Sequence, residues 1–195
     1  MGSLKWHFVL KPPSEETKSH FKSVPWASKF FSDPTLQAFV NESRVAKTTT
    51  TADSFVSRTL CTEETIRAWQ SFYRAPGPSD KYGEVLNLIS LGDGVNGHVD
   101  TSHGGFIGVL LDEALGVAAE NSRPPGKSTM TAYLKIDYKK PLRTPGIVLC
   151  RARLEKKEGR KIWVKGQIED GEGNVLSTAE ALFLVVERVK PLEKI

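Results

Sequence analysis

In "HGGFIGVLLDEALG", residues 103 to 116, an acid stands inside the greasiest run of the chain. Placed on a helix, Gly104, Gly108, Asp112 and Gly116 recur every four residues and make one narrow stripe. Interior glycines weaken a helix by roughly 1 kcal/mol each. The stripe therefore marks a place where another backbone, or a ligand, comes close. Two readings fit it. In the first, the glycines admit a tight strand crossing and Asp112 bonds a backbone amide. In the second, Asp112 and the helix N-terminus face a shared site. The unpaired amides and partial positive charge of that end would polarise a carbonyl and hold an oxyanion. A carboxylate two turns further along would handle a water.

The strand-like segment after the helix bears on the choice. In "TMTAYLKIDYKKP" one face holds Met130, Ala132, Leu134, Ile136 and Tyr138, and the other Thr129, Thr131, Tyr133, Lys135, Asp137 and Lys139. The apolar face is expected to pack on the helix. The polar face, Thr131 included, is then expected to turn away from it.

The elements that must position these residues form two parts. Residues 1–80 carry spaced aromatics, among them Trp6, Phe8, Phe21, Trp26, Phe39, Trp69 and Tyr73, and read as a helical N-terminal extension. "SDPTLQAFVNES" suggests a helix start with Asp33 as N-cap and Pro34 in the first turn. "CTEETIRAWQSFYRA" suggests a second helix capped by Thr62. Residues 81–195 read as the main domain. "EVLNLISLG" is a strand, a helix follows over 104–121, and four strands follow over 129–139, 146–157, 160–170 and 174–188. "KKEGRK" is a hairpin turn built on Gly159. One long buried helix against long antiparallel strands is an α+β layer arrangement.

Bulk properties narrow the function classes. The chain has 195 residues, a net charge of +4 and 39% hydrophobic residues, an ordinary soluble composition. The mild charge suits an anionic small molecule as well as it suits nucleic acid; a nucleic-acid partner is not expected. Cys61 and Cys150 lie far apart and read as two reduced, buried thiols. His7, His20, His98 and His103 are too scattered for a metal site. No apolar run approaches the roughly 20 residues of a membrane span. The opening segment lacks a secretory core and is too acidic and Arg-poor for a transit peptide. The cytoplasm is the expected compartment, with the mitochondrion as the alternative.

Four blocks together, "HGGFIGVLLDEALG", "STMTAYLKIDYKKPL", "EKKEGRKIWVKGQIED" and "VLSTAEALFLVV", resemble the hot-dog-fold acyl-CoA thioesterases. The likeness is to the PaaI-like branch that includes thioesterase superfamily member four, and it covers residues 84–188. It implies a long helix wrapped by a curved antiparallel sheet, in subunits that pair as a homodimer or dimer of dimers with sites at the interface. The substrate is then an acyl-CoA or acyl-carrier thioester in lipid metabolism, with coenzyme A part of the substrate and no separate cofactor or metal.

By the same resemblance Gly104 donates the polarising amide, Asp112 is general base or nucleophile, and Thr131 is the partner subunit's hydroxyl. His103 orients the loop before Gly104 and Gly105. Coenzyme A contacts fall on Gly105, Asp137, Lys139, Arg160 and Lys161, although an acid at 137 departs from what a phosphate prefers. Lys139, Arg160 and Lys161 are expected to cluster at one sheet edge. The loop "NGHVDTSHGG" lacks the Pro-Gly common in relatives, and its Asn96 and His98 read as loop-stabilising groups. Two other functions remain open: a hot-dog dehydratase or cyclase acting on a carrier-bound polyketide, and a non-catalytic acyl-binding regulatory module.

Overall fold

The computed structural model describes residues 10–78 and 81–188; Trp6, His7 and Phe8 lie outside them. The N-terminal part forms α1 (Glu15–Lys22), α2 (Pro25–Ser28), β1 (Leu36–Phe39) and β2 (Ile66–Arg74). Next come β3 (Glu84–Leu91), the short β4 (Asn96–His98) and β5 (Thr101–Ser102), and α3 (Gly104–Glu120). The long strands β6 (Lys127–Tyr138), β7 (Gly146–Glu158), β8 (Lys161–Glu169) and β9 (Val175–Glu187) complete the described chain. Seven strands make one sheet in the order β1-β2-β3-β7-β8-β9-β6. Every neighbouring pair in it is antiparallel.

Helix α3 lies across one face of this sheet as expected. Phe106, Ile107, Leu110, Leu111, Ala114, Leu115, Ala118 and Ala119 are buried along it. Burying one leucine contributes roughly 1.5–3 kcal/mol, which outweighs the cost of about 1 kcal/mol for one interior glycine. The β7–β8 hairpin turns on Gly159 at φ +55°, a left-handed conformation that suits glycine.

Two expected helices are strands. Asp33 Oδ1 accepts from the backbone N and Oγ1 of Thr35 at 2.9 and 2.6 Å, which closes a turn into β1 and caps no helix. Thr62 and Thr65 exchange hydrogen bonds as a helix cap would, with Thr65 N to Thr62 Oγ1 at 3.1 Å, yet β2 follows. The apolar spacing misleads because β2 is buried on both faces. Ile66 and Tyr73 join the core under α3, while Phe72 joins a second core on the other side. A two-sided strand shows no alternation. The expected border at residue 80 thus falls between two paired strands of one sheet.

The extension is helical only in its first part. There α1, α2 and the turn Lys29–Phe31 cover the outer face of β2, β3 and β7. Phe21 and Ala27 pack there against Phe72, Leu86, Leu88 and Leu149.

Strand β6 forms one edge of the sheet, bonded only to β9. Thr131 pairs with Phe183 and Tyr133 with Leu182, so Ala132 is an extra residue, a β-bulge. A one-residue insertion reverses which side chains face the core. Thr129 and Thr131 face α3 before the bulge, and Leu134, Ile136 and Tyr138 face it after. The single apolar face expected for this strand is therefore split, and Met130 is 53% exposed on the opposite side.

Gly166 on β8 marks the tightest crossing under α3. A Cβ there would lie 2.5 Å from Arg151 O and 2.6 Å from Leu115 Cδ1. Gly166→Ala is expected to destabilise the fold by about 1–3 kcal/mol through overpacking. A lowered urea midpoint at unchanged slope would show it; an unshifted midpoint would refute the tight crossing.

Candidate functional site

The glycine stripe of α3 faces β6 at Gly104 and Gly108 and β9 at Gly116. An added Cβ would meet Tyr138 Oη at 3.5 Å from Gly104, Ile136 Cδ1 at 3.4 Å from Gly108 and Phe183 Cε1 at 3.7 Å from Gly116. Asp112 occupies the fourth place in this row. Thr131 Oγ1 donates to its Oδ1 at 2.9 Å. The bulge at Ala132 makes this contact possible, because unbroken alternation would place Thr131 with Tyr133 on the outer side. Thr131 therefore faces Asp112 of its own chain, which corrects the expectation that it turns away from its own helix.

His103 is the N-cap of α3, and its Nδ1 accepts from Gly105 N at 2.9 Å. This contact caps the helix and occupies the Gly105 amide. Phe106 and Ile107 donate to His103 O. Of the first four helical amides, that of Gly104 is the one with no partner among the described residues. It lies eight residues before Asp112, about 12 Å along the axis at the α-helical rise. One carbonyl cannot touch both ends within one chain, so Gly104 and Asp112 of the same α3 do not share a site.

The expected coenzyme A contacts separate. Asp137 pairs with Thr178 on the outer face of the sheet, beside Lys135, Lys165 and Glu180 and away from α3. Lys139 follows β6 at its Tyr138 end, where its amide donates to Leu176 O. Arg160 and Lys161 sit at the opposite end, since Lys161 pairs with Leu184 and Leu184 with Met130. The expected cluster of Lys139 with Arg160 and Lys161 is absent within one chain, because the strand's length lies between them. Asn96 stabilises its loop as expected, accepting from the Thr144 hydroxyl. Cys61 is exposed rather than buried, 3.1 Å from an Arg44 nitrogen, whereas burial pushes the Cys150 thiol far up.

Asp112 opens on a cavity of about 390 Å³. Its far wall comes from the N-terminal part, with Phe39, Asn41, Ser43 and Asp53, residues that the sequence reading had assigned no role. Glu113 lines it beside Asp112 and accepts from the Ser43 hydroxyl. Burial pushes the Glu113 carboxyl above its ordinary 4.5, outweighing the Ser43 hydrogen bond, and the Asp112 charge adds to the rise. A second acid in the same apolar run was the available signal for Glu113. Asn41 and Ser43 gave none, because only the paired β1 and β2 bring that segment over α3.

Comparisons with known proteins fit this geometry. Residues 100–177, which hold Asp112 and Thr131, match the family model described as Thioesterase superfamily. That segment is similar to the thioesterase superfamily. Acyl-coenzyme A thioesterase THEM4 of Rattus norvegicus is 38% identical over 91 residues, covering 46% of this chain and 38% of the relative. The Mus musculus protein of that name is 38% identical over 100 residues, covering 51% and 40%. A Candida albicans relative named as an uncharacterized mitochondrial protein is 31% identical over 90 residues, covering 46% and 40%. The chain thus spans about four-tenths of the length of these curated relatives.

Two solved structures share the hot-dog fold. A phenylacetic acid degradation-related protein of Ralstonia eutropha superposes with a TM-score of 0.52 at 24% identity, covering 58% of this chain and 83% of its own. A thioesterase of Haemophilus influenzae gives 0.52 at 15%, covering 63% and 82%.

The raised Glu113 pKa fixes a sign. A carboxyl that binds its proton more tightly when folded contributes stability that is full below its unfolded pKa and is lost as pH rises through its folded pKa. Glu113→Gln stays neutral throughout. Its stability relative to the parent should therefore grow as pH rises from about 4 toward 7. Urea melts across that range check it; a constant or shrinking difference contradicts the assignment.

Proposed function

We propose that the protein hydrolyses acyl-CoA thioesters to a free acid and coenzyme A, as a homodimer with composite sites. The observation that carries this is the hydrogen bond from Thr131 to Asp112 at 2.9 Å, on a glycine-lined helix face that opens on a cavity. A thioester carbonyl is already electrophilic. It needs an activated attacking oxygen and a donor for the developing oxyanion. Asp112 supplies the first, as base to a water or as the attacking atom itself, and Thr131 holds it in place. A Gly104 amide supplies the second. With water attacking, the carbonyl carbon gains the water oxygen, the C–S bond breaks, Asp112 holds the water's proton and the thiolate takes up a proton. With Asp112 attacking, the C–S bond breaks to leave an acyl–aspartyl anhydride, which a water then opens to free acid and carboxylate.

The 12 Å between Gly104 and Asp112 calls for the amide of another subunit. The free β6 edge offers a way to bring it. Along β6, Tyr138 lies at Gly104 and Thr131 at Asp112. Antiparallel pairing of two β6 edges would set the Tyr138–Gly104 end of one chain beside the Thr131–Asp112 end of the other. The same pairing would bring Lys139 of one chain to the sheet end that carries Arg160 and Lys161 of the other. Those cations suit the phosphates of coenzyme A. Met130 and Tyr133, 53% and 43% exposed on β6, would be covered.

Among the described residues no helix is long and apolar enough to cross a membrane. We place the enzyme in the cytoplasm or the mitochondrion, where two unpaired cysteines stay reduced.

Asp112→Asn is expected to lower turnover at least about 100-fold with fold and assembly intact. Near-normal turnover in the folded variant would end the catalytic assignment. A single turnover in ¹⁸O-water tests for attack by Asp112: label retained in the protein shows an anhydride opened at the aspartyl carbonyl. Label in the product alone fits attack by water or an anhydride opened at the acyl carbonyl, which rapid-quench trapping of an acylated protein separates.

Mixing tests the division of labour. Gly104→Pro removes the amide at a first helical position that tolerates proline, after a His103 already extended at ψ 135°. Mixed with Asp112→Asn, it should recover about a quarter of the parent activity, because hybrid dimers carry one intact site. Asp112→Asn mixed with Thr131→Ala should recover none, since both lesions fall in the same half-site. The reverse pattern would refute the arrangement.

A further inference from the structure

The amide assigned to the oxyanion belongs to Gly104, and glycine has the loosest backbone of any residue. A donor of this kind is effective when its direction is fixed before the reaction begins. The three peptide units around Gly104 are each held. His103 N donates to Val95 O at 2.8 Å, which holds the unit before. His103 O accepts from Phe106 N and Ile107 N at 3.0 and 3.1 Å, which holds the unit that carries Gly104 N. The next unit joins Gly104 to Gly105, and side chains hold it at both ends. Its N–H donates to His103 Nδ1 at 2.9 Å, and its carbonyl oxygen accepts from the Tyr138 hydroxyl at 2.9 Å.

Among these anchors Tyr138 is the one that β6 supplies. A first-turn carbonyl already has a partner in the amide four residues on, so the hydroxyl is not needed to satisfy it. Tyr138 is 56% exposed in the single chain, and water could bond the same oxygen. Water would satisfy that oxygen without fixing its direction, whereas Tyr138 is itself fixed. The amides of Lys139 and Lys140, next along the chain, both donate to Leu176 O, at 2.9 and 3.0 Å. The ring lies against the helix start, where a Cβ on Gly104 would meet its Cε1 and Cζ at 3.6 Å. The bulge at Ala132 turns Tyr138 toward α3 as it turns Thr131.

We propose that Tyr138 is a positioning residue for the reaction: its hydroxyl holds the Gly104–Gly105 peptide so that the Gly104 amide is aimed at the developing oxyanion. The inference rests on the thioesterase reading and adds a residue that acts through Gly104 rather than on the substrate. Tyr138 then serves the half-site of its own Gly104, and so works with Asp112 of the partner subunit.

Tyr138→Phe keeps the ring and removes the hydroxyl. Kinetics on the full chain use whichever of acetyl-, hexanoyl-, phenylacetyl- and palmitoyl-CoA the parent cleaves fastest. The variant should lower kcat about tenfold with KM within about twofold, less than the roughly 100-fold cost of deleting an oxyanion donor, because the amide stays and only its direction loosens. An unchanged kcat, or a change confined to KM, overturns the proposal. So does a loss as large as that of Gly104→Pro, which would put the hydroxyl on the reacting atoms.

Subunit exchange locates the lesion. An equal mixture of Tyr138→Phe and Asp112→Asn should show about a quarter of the parent activity, against about a twentieth for the two kept apart, because hybrid dimers carry one intact site. Gly104→Pro with Asp112→Asn is the control. If the control recovers and the Tyr138 pair does not, the inference about Tyr138 fails alone. Amide exchange, read by NMR, needs no turnover and decides the inference even if no thioester is cleaved or neither pair recovers. Tyr138→Phe should speed exchange of the Gly105 amide about fivefold, the weight of one ordinary hydrogen bond, with Leu110 and Leu111 unchanged. Unaltered Gly105 exchange overturns the clamp.

Discussion

The close crossing of α3 by β6 is the constraint on which the rest depends. The glycines leave a row that Tyr138 and Ile136 of β6 and Phe183 of β9 fill at van der Waals distance. Asp112 is the one residue of that row with a side chain, so it meets the strand rather than solvent. What it meets is a hydroxyl, because Thr131 stands at that level. A side chain longer than alanine's would meet Tyr138 from position 104, Ile136 from position 108 and Phe183 of β9 from position 116. The two readings of the stripe that compete in the sequence are thus one arrangement: the tight strand crossing is what delivers a partner to the acid.

The crossing works only with the bulge at Ala132. Regular alternation over 129–139 would present either the threonines or the aliphatic residues to the helix, never both in succession. The irregular residue lets the same strand offer Thr129 and Thr131 to the polar half of α3 and Leu134 and Ile136 to its apolar half. Bulges reorient side chains beside functional sites in this way. Glu120, eight residues beyond Asp112, receives Thr129 as Asp112 receives Thr131. Both threonines ahead of the bulge are spent on acids of α3.

Much of this was legible in the sequence, and the failures share one cause. The helix, the strands after it and the Asp112 stripe follow from periodicity and turn residues that act locally. The bulge carries no local mark, since Ala132 fits a strand on either side, so the facing of Thr131 was misjudged. β2 was misjudged for a related reason. Phe72 and Tyr73 enter different cores, and burial on two faces erases the alternation that identifies a strand. Asp33 and the Thr62–Thr65 pair make the hydrogen bonds of helix caps, yet those bonds close turns equally well. In each case a long-range pairing overrode a local signal. The wall formed by Phe39, Asn41 and Ser43 was invisible for the same reason, because its place over α3 exists only once β1 has paired with β2.

That wall is held more firmly than a loop of its length requires. Arg44, next to Ser43, donates to Val56 O and Leu60 O at 3.0 and 3.2 Å and lies 5.8 Å above the Trp69 ring. Trp69 in turn donates to Ser71 and Asn87 inside the sheet. The guanidinium thus ties the segment after β1 to the body of β2 and β3, and Ser43 is carried to Glu113 by its neighbour's anchorage. A buried carboxyl with a raised pKa disfavours the folded state once ionised, so its position beside Asp112 is not explained by stability. A wall pinned by an arginine holds an acid that burial penalises beside the cavity. The physical logic is that of preorganisation: the wall is ordered when the chain folds, so that little ordering would remain for a ligand of the cavity to impose.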